Sequence, residues 1–375
     1  MRQREAEVVS IQYLRGVAAL LVVVAHACDQ FVAGPVEPLL RLIGQGGVDI
    51  FFVISGYVMT YTTAVHRYDR PTFFRRRIAR IVPLYWTLTL FTAVLLAAAG
   101  GLSRVSRFAW SDLFTSLSFV PHYNAGQPGA IAPTLKLGWT LNYEMFFYAW
   151  FGAFIACSAG ARLVCLSLVF SALVGLTLLL HPIAAPLAFW GNPVVLEFLF
   201  GCAIGWYDLN GSPERIPRSV WLAALAAGTI AFFALGAADQ SLAWRVLLRG
   251  IPGAIVVLAA IGFERRAARL RRSGLLHYLG DASYSIYLSH LFAIVGLRVV
   301  WLKLHVPHAS ASDALVFALC AVAAGTACGC LVYSYVERPL TGLVKRGAMG
   351  IGSRADTPPE TGTKSNEVES TQSLS

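Results

Sequence analysis

Long apolar runs separated by short basic segments set the pattern of this chain. Each run is about twenty residues long, the length that an α-helix needs to cross a bilayer. Ten runs fit this description, and the third follows a basic cluster at 75–80 and ends near Gly100. The others lie at 11–31, 44–63, 137–157, 162–180, 186–207, 219–236, 243–262, 275–301 and 313–335. The pattern predicts an all-α polytopic membrane protein with about ten transmembrane helices.

The number of spans depends on the apolar segment 110–120, which lies within a more polar stretch from about Gly100 to Lys136. If this segment crossed the membrane, the arginine-rich loop at 264–272 would lie on the opposite side from the cluster at 75–80. If it does not cross, the basic loops share one side, as expected for cytoplasmic loops. The charges therefore favour cytoplasmic termini and an interfacial or re-entrant piece at 110–120 on the outer side.

Composition agrees with a membrane location. Hydrophobic residues make up 57% of the chain and charged residues 13%, with a mean hydropathy of +0.62. A net charge of +10 could indicate nucleic-acid binding in a soluble protein, but here most of the excess lies in short loops. Basic residues in such loops set topology and contact anionic membrane lipid, so we do not expect nucleic-acid binding. The seven cysteines lie almost entirely in apolar runs, and they predict neither a metal site nor a disulfide framework.

The end of the chain has a different composition. It is rich in Thr, Ser, Glu and Pro and has almost no apolar residues. Such segments cannot bury enough apolar surface to fold. We therefore expect residues 1–346 to form one transmembrane domain and residues 347–375 to form a disordered cytoplasmic tail.

Two ionisable residues mark the first apolar run. Arg15 and His26 are separated by ten residues, so on a helix they return to nearly the same face, about 16 Å apart. An ionisable side chain inside a membrane span is costly and by default indicates a functional site. Three other readings are open: Arg15 can reach the lipid headgroups, His26 can be purely structural, and the segment can be a signal peptide.

Other charged residues extend this candidate site. Asp49 lies inside the second run, and Glu144 lies near the outer end of the fourth. Ahead of the third run, arginines are packed into one and a half helical turns, at Arg75, Arg76, Arg77 and Arg80. Guanidinium groups bind phosphate oxygens in a bidentate manner, although the same cluster is also an ordinary cytoplasmic anchor.

Taken together, the motifs resemble the membrane-bound acyltransferase-3 family of bacterial O-acyltransferases, of the exopolysaccharide-modifying type. The similarity runs from about residue 11 to residue 346. Its motifs are LRG with the Arg15 to His26 spacing, GVDIFFVISGY at 47–57, RRIARIVPLYW at 76–86, WTLNYEMFFY at 139–148, SYSIYLSH at 283–290 and YVERPL at 335–340.

The resemblance implies an enzyme of the bacterial inner membrane. It would move an acyl group, usually acetyl, from cytoplasmic acyl-CoA to a hydroxyl of a polysaccharide or lipid-linked glycan, without a metal. The family's essential first-helix pair corresponds to Arg15 and His26, and its fourth-span acidic residue corresponds to Glu144. Its basic motif corresponds to Arg76, Arg77 and Arg80, which we expect to hold the phosphates of acetyl-CoA. Asp49 is a further catalytic candidate.

A mechanism follows as a hypothesis. His26 would remove the proton from the sugar hydroxyl, with Glu144 or Asp49 orienting its ring, and Arg15 would face the pantetheine arm. A covalent relay through Ser55, Ser285 or His290 is the main variant. The competing functions are a transporter or flippase of lipid-linked glycan and a structural subunit of a polysaccharide-assembly complex. The sequence does not distinguish acetyl from succinyl transfer or define the oligomeric state.

Overall fold

The computed structural model describes residues 8–31, 46–98, 108–181, 183–236, 242–267, 274–306 and 310–344. These parts of the chain are mostly helical and contain no β-strand, only an isolated bridge between Tyr123 and Ile131. The α-helices are α1 (Val9–Phe31), α2 (Gly47–His66), α3 (Arg70–Ala98), α4 (Trp110–Leu117), α5 (Trp139–Ala153), α6 (Ala159–Leu180), α7 (Ala185–Trp190), α8 (Glu197–Asn210), α9 (Arg218–Gly236), α10 (Leu242–Arg245), α11 (Ile251–Arg266), α12 (Gly274–Lys303) and α13 (Ala311–Val332).

Eight helical segments among the described residues are long and apolar enough to cross a membrane. They are α1, α2, α3, α6, α9, α11 with the turn before it, α12, and α13 with the helical residues after it. The prediction of an all-α polytopic membrane protein is confirmed. The predicted tail at 347–375 lies outside the described residues.

The predicted fourth and sixth spans contain shorter helices. α5 has 15 residues and α8 has 14, because each begins only after a 3-10 turn, at Lys136–Gly138 and Pro193–Leu196. At 1.5 Å per residue each is about 22 Å long, less than the roughly 30 Å of a bilayer core. The number of membrane crossings therefore stays a prediction.

Contacts at both ends of α5 indicate its direction. Gly138, just before α5, packs against the ring of Tyr85 in the middle of α3. At the other end, the Arg70 guanidinium at the start of α3 donates to the carbonyls of Gly152 and Ala153, at 3.1 and 3.0 Å. α5 thus runs antiparallel to α3 and returns the chain to the side where α3 begins.

Close helix crossings depend on glycine. A Cβ atom at Gly201 would lie 1.9 Å from the carbonyl oxygen of Val53, and one at Gly56 would lie 2.0 Å from that of Phe198. α2 and α8 can therefore approach this closely only because neither glycine has a side chain. Gly205, one turn after Gly201, has the same role, because a Cβ there would lie 2.8 Å from the Cβ of Thr60.

Glycines also allow α1 and α12 to pack closely. A Cβ at Gly280 would lie 2.2 Å from the carbonyl oxygen of Gln12, and one at Gly16 would lie 3.2 Å from the backbone nitrogen of Gly280. α13 packs against both helices: a Cβ at Gly329 would lie 2.3 Å from the Cα of Ile286 on α12, and one at Gly325 would lie 3.2 Å from a side-chain carbon of Val23 on α1. This tight three-helix contact places the first helix beside the SYSIYLSH segment.

The segment predicted to be interfacial or re-entrant forms the short helix α4. Its eight residues span about 12 Å and cannot cross a bilayer. Trp110 and Phe114 on this helix are 66% and 63% exposed. The hydroxyl of Tyr123, in the loop after α4, donates to the carbonyl of Ile183 between α6 and α7, at 2.9 Å. This bond places the end of α6 beside the loop that follows α4.

The ten-span topology can be tested by cysteine labelling. In a cysteine-free background, we expect Ile183→Cys to react with a membrane-impermeant maleimide in intact spheroplasts, and Ala156→Cys to react only after permeabilisation. Both positions are exposed in the structure. The reverse pattern would mean that α5 does not cross the membrane.

Candidate active site

A cavity of about 150 Å³ lies between α1, α2, α3, α5 and α12. A single water needs only about 15 Å³ on this scale, so the cavity can hold a ligand segment rather than an isolated water. Its polar lining comprises Arg15, Ser55, Arg77, Arg80, Thr140, Glu144, Tyr148, Ser283, Tyr284 and Tyr287. The cavity therefore brings together four of the residues predicted from the sequence, namely Arg15, Arg77, Arg80 and Glu144.

Arg80 is anchored by a carboxylate from the other end of the chain. Its guanidinium forms an ion pair with Glu337, which is buried, and the Ser285 hydroxyl donates to the second carboxylate oxygen of Glu337 at 2.5 Å. The guanidinium also lies over the ring of Tyr284, 5.6 Å from its centroid. These contacts fix the Arg80 side chain at the wall of the cavity.

A helix irregularity presents Glu337 to this site. The residues Tyr333–Glu337 form a π-helical turn after α13. Pro339 follows two residues later, and a proline cannot donate to the carbonyl four residues before it. The wider turn accommodates this missing hydrogen bond, and such turns occur often at functional sites.

The other two arginines of the cavity, Arg77 and Arg15, are held by fewer contacts than Arg80. The Nε atom of Arg77 is buried and has no hydrogen-bond partner among the described residues. Arg15 donates to the side chain of Gln12, one turn earlier on α1, at 3.1 Å. Both guanidinium groups therefore keep donors for an anionic or carbonyl-bearing ligand in the cavity. Arg76 instead covers the ring of Tyr68, 4.7 Å from its centroid.

Glu144 belongs to a hydrogen-bonded group in the cavity. Its carboxylate accepts from the Ser55 hydroxyl at 3.0 Å and from the hydroxyl of Tyr148, one turn further along α5. α2 supplies the serine, so these bonds tie α2 to α5 at the cavity wall. The arrangement makes Glu144 an acceptor that faces ligand space together with three guanidinium donors.

Asp49 lies apart from this group. It is fully buried, and both of its carboxylate oxygens accept from Arg245, at 2.7 and 3.1 Å. Glu197, at the start of α8, is also fully buried beside this pair. Asp49 is not among the residues that line the cavity. Its bidentate pairing with Arg245 gives it a structural role in joining α2 to α10.

His26 pairs with a second histidine. Its Nδ1 atom lies 3.2 Å from Nε2 of His290 on α12 and 3.0 Å from the carbonyl oxygen of Val22. His290 is fully buried, and its own Nδ1 lies 2.9 Å from the carbonyl oxygen of Ile286. Gly325 on α13 leaves room for this histidine, because a Cβ there would lie 3.2 Å from the His290 Cβ.

These distances assign the hydrogens when both rings are neutral. A carbonyl oxygen can only accept, so Nδ1 of His290 carries its proton and Nε2 has a lone pair. That lone pair accepts from Nδ1 of His26, which shares its proton with the Val22 carbonyl. Nε2 of His26 therefore keeps a lone pair, and no hydrogen bond to it is present among the described residues. His26 is half-buried and held in the tautomer that a general base requires.

Tyr287 separates the histidine pair from the cavity. Its ring lies 6.4 Å from that of His290, and its side chain also lines the cavity. The Tyr287 hydroxyl is 2.9 Å from both the Thr140 hydroxyl and the Leu137 carbonyl oxygen. A ligand in the arginine-lined cavity is thus one aromatic side chain away from the histidines.

Comparison with known proteins assigns this arrangement to a family. Residues 8–334 match the family profile described as an acyltransferase domain, Acyl_transf_3. The chain belongs to this acyltransferase family. It is an O-acyltransferase of the membrane, and the resemblance inferred from its motifs is confirmed.

The chain is also similar to curated proteins whose names refer to exopolysaccharide production, acyl transfer and peptidoglycan O-acetylation. The chain is 36% identical to the exopolysaccharide production protein ExoZ of Rhizobium meliloti (strain 1021), over 84% of this chain and 95% of that protein. It is 27% identical to the acyltransferase MdmB of Streptomyces mycarofaciens, over 92% and 95%. It is 24% identical to the peptidoglycan O-acetyltransferase OatA of Listeria monocytogenes, over 80% of this chain and 51% of that protein. No solved structure matches the chain.

One part of the predicted mechanism is wrong. Glu144 or Asp49 was expected to orient the His26 ring, but Glu144 binds Ser55 and Tyr148, and Asp49 binds Arg245. The nitrogen of His26 that such a carboxylate would hold is bonded to His290 instead. The depth of Glu144 in its span gave no information about which face of α5 it occupies.

Glu337 and Tyr287 are site residues that sequence reasoning did not assign. Both lie in motifs quoted above, YVERPL and SYSIYLSH, but Glu337 follows the last predicted apolar run, which ends at residue 335, so it was not recognised as a carboxylate inside a span. Among the described residues, no group of three His, Cys, Asp or Glu side chains could hold a metal ion.

The Glu337 ion pair should contribute to stability. We expect Glu337→Gln to lower the free energy of unfolding by about 1–2 kcal/mol, because a partly desolvated Arg80 loses its counter-charge. Asp281→Asn is the matched control, since Asp281 pairs with His277 at a more exposed site on α12. It should change stability by less than about 0.5 kcal/mol. Thermal unfolding in detergent measures both, and equal effects would contradict a special role for Glu337.

Proposed function

We propose that the protein transfers an acetyl group from cytoplasmic acetyl-CoA to a hydroxyl of a cell-surface or exported polysaccharide, across the bacterial inner membrane. The observation that carries this proposal is an arginine-lined cavity that only Tyr287 separates from the pair of His26 and His290. The names of ExoZ and OatA support a polysaccharide or peptidoglycan acceptor. The basic loops support a cytoplasmic origin for the donor.

The donor is proposed to enter through the arginine-lined cavity. Arg76, at the exposed start of α3, would meet the phosphates of acetyl-CoA, and Arg77 and Arg80 would bind at the mouth of the cavity. Arg15 and Glu144, which line the same cavity, would hold the pantetheine arm, whose amide groups offer both N–H donors and carbonyl acceptors. An extended arm of this kind is on the order of half a bilayer long, so it can bring the thioester near Tyr287.

The chemistry proposed for His26 is general base catalysis. Nε2 of His26 takes the proton of the sugar hydroxyl as its oxygen attacks the thioester carbonyl, and the carbon–sulfur bond then breaks. The proton passes from His26 to the departing thiolate, which gives free CoA and the acetylated sugar. Hydrogen-bond donors near the thioester would stabilise the negative charge that develops on its carbonyl oxygen before the carbon–sulfur bond breaks.

His290 acts as a positioning residue in this scheme. Its Nε2 lone pair accepts the hydrogen bond from Nδ1 of His26. When His26 is protonated, this acceptor stabilises the positive ring and keeps it in place, as a carboxylate does in other acyl-transfer sites. The fully buried ring of His290 cannot itself reach a substrate.

A covalent relay is the less favoured variant. Ser285 is fully buried and donates to Glu337, so it is committed to the ion pair of Arg80. Ser55 lines the cavity and donates to Glu144, which is a possible base for it. Trapping of an acylated Ser55 after a single turnover would favour the relay over direct transfer.

Replacement of the two histidines separates their roles. We expect His26→Ala to lower transfer about 10²–10⁴-fold while binding of acetyl-CoA is retained, because only the base is lost. His290→Ala should lower kcat by a smaller factor. His290→Gln should recover part of that loss, since a side-chain oxygen can still accept from His26.

The assay for these variants is transfer of radiolabelled acetyl from acetyl-CoA to purified polysaccharide, with equal amounts of inserted protein. Near-normal turnover by His26→Ala would refute the base assignment. A transporter, which remains the competing class, would consume no acetyl-CoA at all. Equal losses in His290→Ala and His290→Gln would leave His290 as a packing residue.

The arginine cluster offers a graded test. Arg77→Gln should raise the apparent Kd for acetyl-CoA about tenfold or more, because Arg77 lines the cavity and has an unpaired buried nitrogen. Arg76→Gln should have a smaller effect, since Arg76 is exposed and lies over Tyr68. Arg75→Gln is the control for charge alone. If all three changes raised the apparent Kd equally, the cluster would set the membrane topology and would not be a specific binding site for acetyl-CoA.

A further inference from the structure

A second cavity lies at the other end of the bundle from the start of α3. It has a volume of about 90 Å³ and is formed by the end of α3, by α4 and by the loop from 118 to 136. Its polar lining is made of Thr92, Asp112, Asn124, Gln127, Thr134 and Lys136, and Phe108 and Leu96 supply apolar surface. We call it the loop pocket. In the predicted topology it opens on the outer side of the membrane.

The wall of the loop pocket is built by hydrogen bonds. The carboxylate of Asp112 accepts from the backbone nitrogen of Ala125 at 2.9 Å, which ties the loop to α4. Asn124 accepts from the nitrogen of Gly126 at 2.9 Å and donates to the carbonyl of Ala132 at 3.1 Å. These bonds hold the two sides of the loop together, so the pocket is preformed.

Two side chains that line the loop pocket are available to a ligand. Within the described parts of the chain, no hydrogen bond or ion pair is present for the ammonium of Lys136 or the amide of Gln127. Together they offer donors and an acceptor, the combination that sugar hydroxyls require, because each hydroxyl both donates and accepts. An apolar wall with a few placed polar groups is the usual composition of a small-ligand site.

The loop pocket is connected to the histidine pair through Lys136. Leu137, the next residue, provides the carbonyl that the Tyr287 hydroxyl contacts at 2.9 Å, and Tyr287 lies beside His290. The segment from 136 to 140 thus runs from the loop pocket, past the histidines, to Thr140 in the arginine-lined cavity.

We propose that the loop pocket binds one sugar unit of the acceptor polysaccharide and presents a neighbouring hydroxyl to His26. The volume suffices for the hydroxyl-bearing edge of a single sugar, with the rest of the polymer outside. The two cavities then lie on opposite sides of the base, one for the donor and one for the acceptor. This inference rests on the proposed function, because it assumes that a glycan is acylated.

Acceptor kinetics test the proposal. The probe is surface polysaccharide purified from cells that lack this protein, titrated in membranes with radiolabelled acetyl-CoA. Gln127→Ala and Lys136→Gln should each raise the apparent KM for polysaccharide about fivefold or more. The KM for acetyl-CoA should stay within twofold of wild type in both variants, and Gln127→Ala should also keep its kcat within twofold.

The matched controls are Ser118→Ala in the same loop and Lys303→Gln at the end of α12, both exposed and outside the pocket. They should leave the KM for polysaccharide unchanged. If wild-type protein acylates the polysaccharide and the pocket variants keep its KM, the acceptor site is elsewhere and the proposed function stands. If wild-type protein transfers no acetyl group, the proposed function fails and this inference fails with it.

Discussion

The hydrogen bond between His26 and His290 depends on how closely α1 and α12 pack. Gly16 and Gly280 let the two backbones meet near the N-terminal end of α1, and Gly325 of α13 leaves space for the His290 ring further along the contact. A larger residue at any of these positions would force the helices or the ring to move. The pairing of the two rings then fixes which nitrogen of His26 can take a proton. Packing of small residues thus determines the chemistry available at the site.

Pairing of charge inside the bundle follows the same constraint, since the membrane supplies no water to compensate a buried ion. Asp49 is satisfied by Arg245, Asp208 by Arg265 and Glu337 by Arg80. The guanidinium of Arg77 differs, because its buried Nε has no partner among the described residues and it faces the cavity. The three ion pairs therefore hold helices together, whereas the Arg77 guanidinium is available to a ligand.

Much of the architecture could be predicted from the sequence, because apolar length and basic loops are local signals. The spacing of Arg15 and His26 predicted that they share one face of a helix, and in the structure Arg15 lines the cavity with Ser283 of α12 and His26 contacts His290 of α12. The segment 110–120 contains the short helix α4. The partners of these residues could not be predicted, since His26 and His290 are 264 residues apart and Asp49 and Arg245 are 196 apart. Only the packing of α1 on α12 and of α2 beside α10 shows that His26 is oriented by a histidine and that Asp49 is an ion-pair partner.

In the proposed function, donor and acceptor reach His26 from opposite sides of the membrane. It can be tested in sealed vesicles of known orientation that contain radiolabelled acetyl-CoA on the cytoplasmic side and unacetylated polysaccharide only on the other side. We expect label on the polysaccharide with wild-type protein and none with His26→Ala. Transfer that occurs only when both substrates are on the same side of the membrane would contradict it.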